Sequence, residues 1–201
     1  MQIILSLVLG LVIYGCTSQS NQMEELNVIS SSEWGGSSKP HNSMEHTIKY
    51  ITIHHGGVIF KGDSSTVSYL KNLQNWSRDV KKWIDIPYHF MMDLKGDIYQ
   101  ARPVQYPGDT NTDYDPTGHL LICILGNYEE QELNEIQHQK LILFLSYFSH
   151  KYDVPVEKIQ SHMDYTETAC PGKNIYKFLQ DGSLISDVQK KLIKIKSSLN
   201  K

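Results

Sequence analysis

The chain has 201 residues, of which 40% are hydrophobic, with 19 basic and 22 acidic side chains and a formal net charge of −3. This composition excludes a disordered or collagen-like protein and leaves room for one globular domain with some additional chain. It also argues against nucleic acid as the main partner, because such binding needs a concentrated excess of Lys and Arg.

The first 15 residues form an uncharged and almost wholly apolar segment that ends at Cys16. The segment is too short for a membrane-spanning helix, which needs roughly 20 residues, and has the length of a signal-peptide core. Ile13-Tyr14-Gly15-Cys16 resembles a bacterial lipobox. We therefore expect an exported lipoprotein that faces the periplasm or the cell surface and is anchored in the membrane by lipid on Cys16. The alternative is a buried terminal strand or helix that ends in an ordinary cysteine.

Residues 16–45 are rich in Ser, Asn and Gly, and we interpret them as a tether. The few apolar anchors in this segment are Leu26, Val28, Ile29 and Trp34. A different pattern begins at residue 46, from which we expect a folded domain that extends to residue 201.

The pattern of this domain is typical of the α/β class. β-branched and aromatic residues predict a strand at residues 48–54, and apolar residues spaced by three and four predict a helix at residues 64–83. A β-hairpin is expected at residues 86–101, where Lys95-Gly96-Asp97 provides the turn.

The second half of the domain also has predicted strands and helices. The apolar run at residues 120–125 predicts a central strand buried on both faces, in which Cys123 is a small buried hydrophobe. A largely apolar helix is expected at about residues 134–152, and an amphipathic helix with a lysine-rich face at about residues 183–199. The latter either packs by its apolar stripe or contacts anionic lipid or glycan by its basic face.

Three residues suggest a metal site. His54 ends the first strand of the domain, and His162 and Cys170 lie in residues 161–172, a loop without periodic pattern that stops at Pro-Gly. Two imidazoles and a thiolate match the ligand preference of Zn²⁺, and three protein ligands keep a fourth position for water. Spacing alone does not single out this triple among nine histidines and three cysteines.

Five segments, taken in order, resemble the zinc-dependent N-acetylmuramoyl-L-alanine amidases of the type 2 family, which share a fold with phage amidases and animal peptidoglycan recognition proteins. The segments are Glu33–Gly36, Ile51–Gly56, Trp83–Phe90 with Gly96–Arg102, Ile122–Asn127 and His162–Gly172. The resemblance implies a three-layer α/β domain with a central mixed sheet flanked by helices.

The resemblance also implies a role for each matched position. His54, His162 and Cys170 fall where the family places its zinc ligands. Tyr88 matches a tyrosine that helps to position the water or the scissile carbonyl. Thr168 matches a Lys or Thr that stabilises the developing oxyanion.

The residue that carries a proton to the leaving nitrogen is left open. Some family members have a catalytic glutamate in the strand that corresponds to residues 120–125, but that strand contains no acid here. Glu129, Glu130 and Asp164 remain as candidates.

For four other histidines the sequence gives less specific predictions. His55 and His89 are expected to point into the core or to bond to a neighbouring loop, because adjacent strand residues face opposite sides. His46 and His119 are expected to lie at the surface or to cap loops.

The expected activity is hydrolysis of the amide between N-acetylmuramic acid and L-alanine of the peptidoglycan stem peptide, with Zn²⁺ as the cofactor. Two alternatives stay open: a recognition module that binds muramyl peptides without cutting them, and a zinc peptidase that acts within the stem peptide. The sequence does not indicate an oligomeric state.

Overall fold

The computed structural model describes residues 26, 28–37, 45–62 and 65–199. Cys16 and the predicted signal segment lie outside these residues. Within the described part of the chain, no helix combines the length and the apolar content that crossing a membrane requires.

Within the described residues, six strands form the sheet: β1 (Val28–Ile29), β2 (Tyr50–His55), β3 (Phe90–Met92), β4 (Ile98–Gln100), β5 (His119–Ile124) and β6 (Ile159–Ser161). Their order is β1-β4-β3-β5-β2-β6. Neighbouring strands are parallel except for β3 and β4, which form the predicted hairpin. Every residue of β5 is buried, as the apolar run predicts for a central strand.

Helices cover both faces of this sheet. Those in the described residues are α1 (Thr66–Asp79), α2 (Glu135–Tyr152), α3 (Lys173–Gln180) and α4 (Ser183–Leu199). Alternation along β5 divides the core: Ile122 belongs to the same hydrophobic cluster as Phe144 of α2, whereas Cys123 belongs to the same cluster as Leu70 of α1. The predicted three-layer α/β domain with a mixed sheet is thereby confirmed.

Helix α1 is shorter than its apolar periodicity predicts. It ends at Asp79 rather than at Trp83, and Lys82 adopts a left-handed conformation with φ of 59°. This conformation interrupts the helical path and turns the chain back, so that the Trp83 amide donates to the Ser77 carbonyl. Trp83 then packs edge-on against Trp76, with 6.0 Å between ring centroids.

Helices α2 and α4 follow their predicted bounds, whereas α3 lies in a segment for which the sequence predicted no helix. Asn134 caps α2 through a reciprocal capping box with Gln137. In α4 the apolar stripe faces the domain, where Val188 is fully buried and its carbonyl accepts a hydrogen bond from Ser146 of α2. These contacts support the packed interpretation of α4.

Part of the predicted tether belongs to the folded domain. Val28 and Ile29 form β1, which pairs with β4, and Leu26 is fully buried. Trp34 is also buried, and its indole nitrogen donates to the Gln100 carbonyl at 2.7 Å. The tether interpretation of residues 16–45 is therefore wrong for residues 28–37, because their apolar side chains and one short strand complete the sheet.

Candidate metal centre

His54 and His162 come together because β2 and β6 run in parallel. Ile53 pairs with Ser161, so the next residue of each strand lies at the same carboxyl edge of the sheet. The two imidazole centroids are 4.7 Å apart, and only 2% of His54 and 8% of His162 is exposed.

Cys170 reaches the same edge from the loop that precedes α3. The loop closes on itself, since the Met163 amide donates to the Cys170 carbonyl at 3.0 Å. Gly172 has φ of +89°, and a Cβ there would collide with the backbone of Tyr128, so glycine lets the loop pass close to its neighbour. The backbone amide of His55 donates to the Cys170 sulfur at 3.3 Å.

These three side chains form one cluster. Their potential ligand atoms all lie within 4.8 Å of one another, and all three residues are buried. The Nδ1 atom of His54 is 3.6 Å from the Sγ atom of Cys170. The structure therefore brings together the three residues that the sequence singled out as a metal site.

Burial sets the charge of the cluster. It lowers the pKa of His54 well below the ordinary value and lowers the pKa of His162 to about 4, so both imidazoles are neutral at pH 7. It raises the pKa of Cys170 to about 12. Neutral imidazoles are ready to ligate a cation, whereas the thiol has to lose its proton as a metal binds.

The cluster opens into a cleft of about 340 Å³ between α1 and the carboxyl ends of β2 and β5. This volume lies in the range of small-molecule sites. Aromatic residues of α1 and the segment after it form one wall, and polar residues from two loops face the cluster. The lining includes Tyr69, Trp76, Trp83, Tyr88, Thr112 and Thr168.

Tyr88 and Thr168, the two predicted catalytic residues, both line this cleft. The Tyr88 ring lies 5.0 Å from the His54 ring, between centroids. Burial raises the pKa of Tyr88 well above the ordinary value, which keeps its hydroxyl protonated at neutral pH. Thr168 Oγ1 accepts the Cys170 amide hydrogen at 3.2 Å, so its own hydroxyl hydrogen remains available to donate.

Cys123 is fully buried, as predicted, but it also lines the cleft. Its thiol lies beside the Tyr88 side chain. The residue therefore contacts the candidate site as well as the core.

The three acids proposed as proton carriers are bonded elsewhere. Glu129 accepts from the Lys173 amide at 2.7 Å, and Glu130 accepts from the Asn127 side chain at 2.8 Å. Asp164 caps the turn that follows β6, where it accepts from Ser161. None of these three carboxylates lines the cleft.

The carboxylate that does line the described cleft is Asp109, and it forms an ion pair with the buried Arg102. Arg102 also donates to the carbonyls of Ile86 and Asp85. This arrangement ties the loop after β4 to the segment that carries Tyr88.

Four further histidines have structural partners. His89 accepts from the Leu121 amide and His55 accepts from the Tyr128 amide, which confirms their predicted roles. His46 caps a loop by accepting from the Gly118 amide, also as expected. His119 was predicted to lie at the surface or to cap a loop, but it is buried, because it begins β5 and bonds to Thr52 of β2.

Two residues beside the cluster carry no signal in the sequence. Thr112 and Tyr114, in the β4–β5 loop (residues 101–118), contact His162 and His54 respectively. No motif or periodicity marks this loop, and its contacts arise only from the folded arrangement.

A mixed sheet between two helical layers, with a buried His, His, Cys cluster at the carboxyl ends of two neighbouring parallel strands, defines the architectural class of amidases and peptidoglycan recognition proteins. A sequence model of the family described as N-acetylmuramoyl-L-alanine amidase matches residues 44–173. The chain belongs to this family.

Individual relatives agree with this assignment. The chain is 30% identical over 154 residues to peptidoglycan-recognition protein SC2 of Drosophila melanogaster, covering 75% of this chain and 83% of the relative. Its fold is similar to the N-acetylmuramoyl-L-alanine amidase LysC from Clostridium intestinale, with a TM-score of 0.60, 22% identity and coverage of 73% and 89%. It is also similar to human PGRP-IβC in complex with glycosamyl muramyl pentapeptide, with a TM-score of 0.65, 20% identity and coverage of 76% and 94%.

Proposed function

We propose that the protein is a zinc-dependent peptidoglycan amidase that hydrolyses the amide between N-acetylmuramic acid and L-alanine of the stem peptide. The observation that carries this proposal is the convergence of His54, His162 and Cys170 in a cleft, with ligand atoms within 4.8 Å of one another. Membership of the amidase family supports the same reaction.

The donor set fits zinc. Tetrahedral zinc, with bonds of about 2.0 Å to nitrogen and 2.3 Å to sulfur, places those two donors about 3.5 Å apart. The distance between His54 Nδ1 and Cys170 Sγ is 3.6 Å, close to this value. When bound by three protein ligands, zinc supplies a Lewis acid and a water of lowered pKa as the nucleophile.

Two side chains in the cleft are suited to the charge that develops on the substrate carbonyl. Tyr88 keeps its proton and lies against His54, from where its hydroxyl donates to the carbonyl oxygen. Thr168 is fixed by the Cys170 amide and donates its own hydroxyl hydrogen. Donors that are already oriented stabilise an oxyanion without reorganisation during the reaction.

Peptidoglycan is the partner that the comparisons favour. The curated relatives are named as peptidoglycan recognition proteins, and one similar structure holds a muramyl pentapeptide. The aromatic wall of the cleft, formed by Trp76 and Trp83, offers apolar surface to such a ligand.

An extracytoplasmic location agrees with this substrate. The apolar segment before Cys16 is the basis of this part of the proposal, in which lipid on Cys16 anchors the domain to a membrane that faces the cell wall. The test is metabolic labelling with palmitate. Label in the full chain and none in Cys16→Ser is the expected result, and label in both would contradict it.

Hydrolysis and zinc content of matched cysteine variants test the amidase. We expect one zinc per chain in the wild type and a loss of both zinc and peptide release in Cys170→Ala. Cys123→Ala removes a buried thiol from the same cleft and should keep the zinc. Retention of hydrolysis by chelated Cys170→Ala would rule out the mechanism, and binding of muramyl peptide without hydrolysis by the zinc-loaded wild type would indicate a recognition module.

A further inference from the structure

The β4–β5 loop places a hydroxyl group against each of the two clustered histidines. Thr112 Oγ1 lies 2.8 Å from His162 Nε2, and the Tyr114 hydroxyl lies 3.4 Å from His54 Nε2. Tyr114 also packs against the His162 ring, with 4.9 Å between centroids. The same ring nitrogen of both imidazoles is therefore engaged by one loop.

For His54 the other ring nitrogen faces the cluster. Its Nδ1 atom is the one that lies 3.6 Å from Cys170 Sγ. A neutral imidazole has one protonated and one unprotonated nitrogen, and only the unprotonated one ligates a metal. A hydrogen on Nε2 that is donated to the Tyr114 oxygen leaves the Nδ1 lone pair directed at the cluster.

For His162 a pair of threonines allows the same arrangement. Thr110 Oγ1 accepts from the Thr112 amide at 3.1 Å and lies 2.7 Å from Thr112 Oγ1. If Thr112 donates its hydroxyl hydrogen to Thr110, its oxygen accepts the hydrogen of His162 Nε2. His162 Nδ1 is then left unprotonated.

Tyr114 is held in place by its own neighbours. Its ring stacks on Tyr165 with 5.6 Å between centroids and meets His119 edge-on at 5.5 Å. His119 is in turn bonded to Thr52 of β2 at 2.8 Å. The buried phenol is therefore anchored to the sheet by its own neighbours.

We propose that Thr112 and Tyr114 are positioning residues that keep the hydrogen of His162 and His54 on Nε2 and thereby present Nδ1 of both rings to the metal. The inference rests on the proposed zinc site. Partners of this kind fix the orientation of a ligating imidazole and increase its basicity, and their loss typically weakens metal binding about 10- to 100-fold.

The direct test reads the tautomers in the metal-free protein at pH 7.5. Long-range ¹H–¹⁵N correlation spectra of ¹⁵N-histidine-labelled protein show which nitrogen of each ring carries the hydrogen. We expect Nε2–H for both His54 and His162 in the wild type. Nδ1–H in either ring would overturn the proposal for that ring, and this result needs no variant.

Variants then separate the two contacts. In Thr112→Val, hydrogen should appear on Nδ1 as well as Nε2 of His162, with His54 unchanged. Tyr114→Phe should have the same effect on His54 alone. Thr112→Ser, which keeps the hydroxyl, should give the wild-type spectrum. Each of the first two should weaken zinc binding about tenfold or more in chelator competition. Matched controls are Thr117→Val, at an exposed site of the same loop, and Tyr147→Phe, in α2. Unchanged tautomers and zinc affinity in Thr112→Val and Tyr114→Phe would overturn the proposal.

The outcomes separate this inference from the proposed activity. Nε2–H tautomers and weakened zinc binding in the variants support the positioning role even if the wild type hydrolyses no peptidoglycan. Hydrolysis by a wild type whose rings carry Nδ1–H would support the amidase and refute the positioning role.

Discussion

The Nδ1 atom of His54 lies 3.6 Å from the Sγ atom of Cys170, although 116 residues separate the two in the chain. β2 brings the imidazole to the edge of the sheet, and the amide of the next residue, His55, donates to the same sulfur at 3.3 Å. The contact is thus set by the backbone of the strand and of the Cys170 loop.

Replacement of Tyr88 tests the role of its hydroxyl. We expect Tyr88→Phe to lower kcat about 100-fold or more, because loss of one oxyanion donor has that effect in other hydrolases. Zinc content should not change, since the hydroxyl is not one of the three ligand atoms. Tyr69→Phe is the matched control, because Tyr69 lines the same cleft but packs against Phe60. Wild-type kcat in Tyr88→Phe would exclude the proposed role.

Asp164 is expected to act on stability rather than as a proton carrier. Its carboxylate accepts from the amide and the hydroxyl of Ser161, both at 2.7 Å, and from the Tyr176 hydroxyl at 2.9 Å. Asp164→Ala should lower the free energy of unfolding by about 1 kcal/mol, as the loss of a capping side chain does. Urea denaturation measures this change.

The pH dependence of kcat provides the control for Asp164. In Asp164→Ala, kcat should still fall on both the acidic and the basic side of its optimum, because the carboxylate lies outside the cleft. Loss of the fall on one side, with unfolding unchanged, would instead identify Asp164 as the acid or base.

Because of the buried His89, we expect the free energy of unfolding to fall in acid. Its Nδ1 accepts from the Leu121 amide and its Nε2 donates to the Tyr106 carbonyl, and burial lowers its pKa from 6.5 to about 3. Between pH 6.5 and about pH 3, His89 is therefore protonated in the unfolded chain and neutral in the folded chain. Stability from this residue is fully present above pH 6.5 and declines as the pH falls towards 3, by about 2 kcal/mol between pH 7.5 and pH 5.

Glutamine at position 89 isolates this effect. It offers one acceptor and one donor to the same partners but does not titrate. Unfolding free energies of metal-free wild type and His89→Gln, measured at pH 7.5 and pH 5, should show a smaller acid loss in the variant. Equal losses in the two proteins would mean that His89 does not contribute.

Local patterns were sufficient to predict most of the fold. The run at residues 120–125 predicted the buried central strand, and the apolar spacing after Asn134 predicted α2 within one residue. β1 could not be predicted, because two residues in a Ser- and Gly-rich segment have no periodicity and become a strand only by pairing with β4. The end of α1 was missed for a similar reason, since apolar spacing continues through Lys82 while the backbone does not.

Some residues of the candidate site could be predicted from the sequence and others could not. His54, His162 and Cys170 were found from residue chemistry and motif resemblance. The two histidines converge because β2 pairs in parallel with β6, and Cys170 joins them from the loop before α3. Thr112 and Tyr114 lie in a loop whose path depends on many tertiary contacts, among them the ion pair of Asp109 with Arg102. Hydroxyl groups are common in loops, so nothing in the sequence distinguishes these two from the others.

The most direct test of the central claim is the mass spectrum of the products formed from a muramyl pentapeptide by the zinc-loaded protein. The account predicts two products whose masses sum to the substrate plus one water: a free pentapeptide with an N-terminal L-alanine, and N-acetylmuramic acid with a free lactyl carboxylate. A shortened peptide that is still attached to the sugar would contradict it and indicate a peptidase. Intact substrate in the presence of bound zinc would contradict it as well and indicate a protein that recognises muramyl peptides without cutting them.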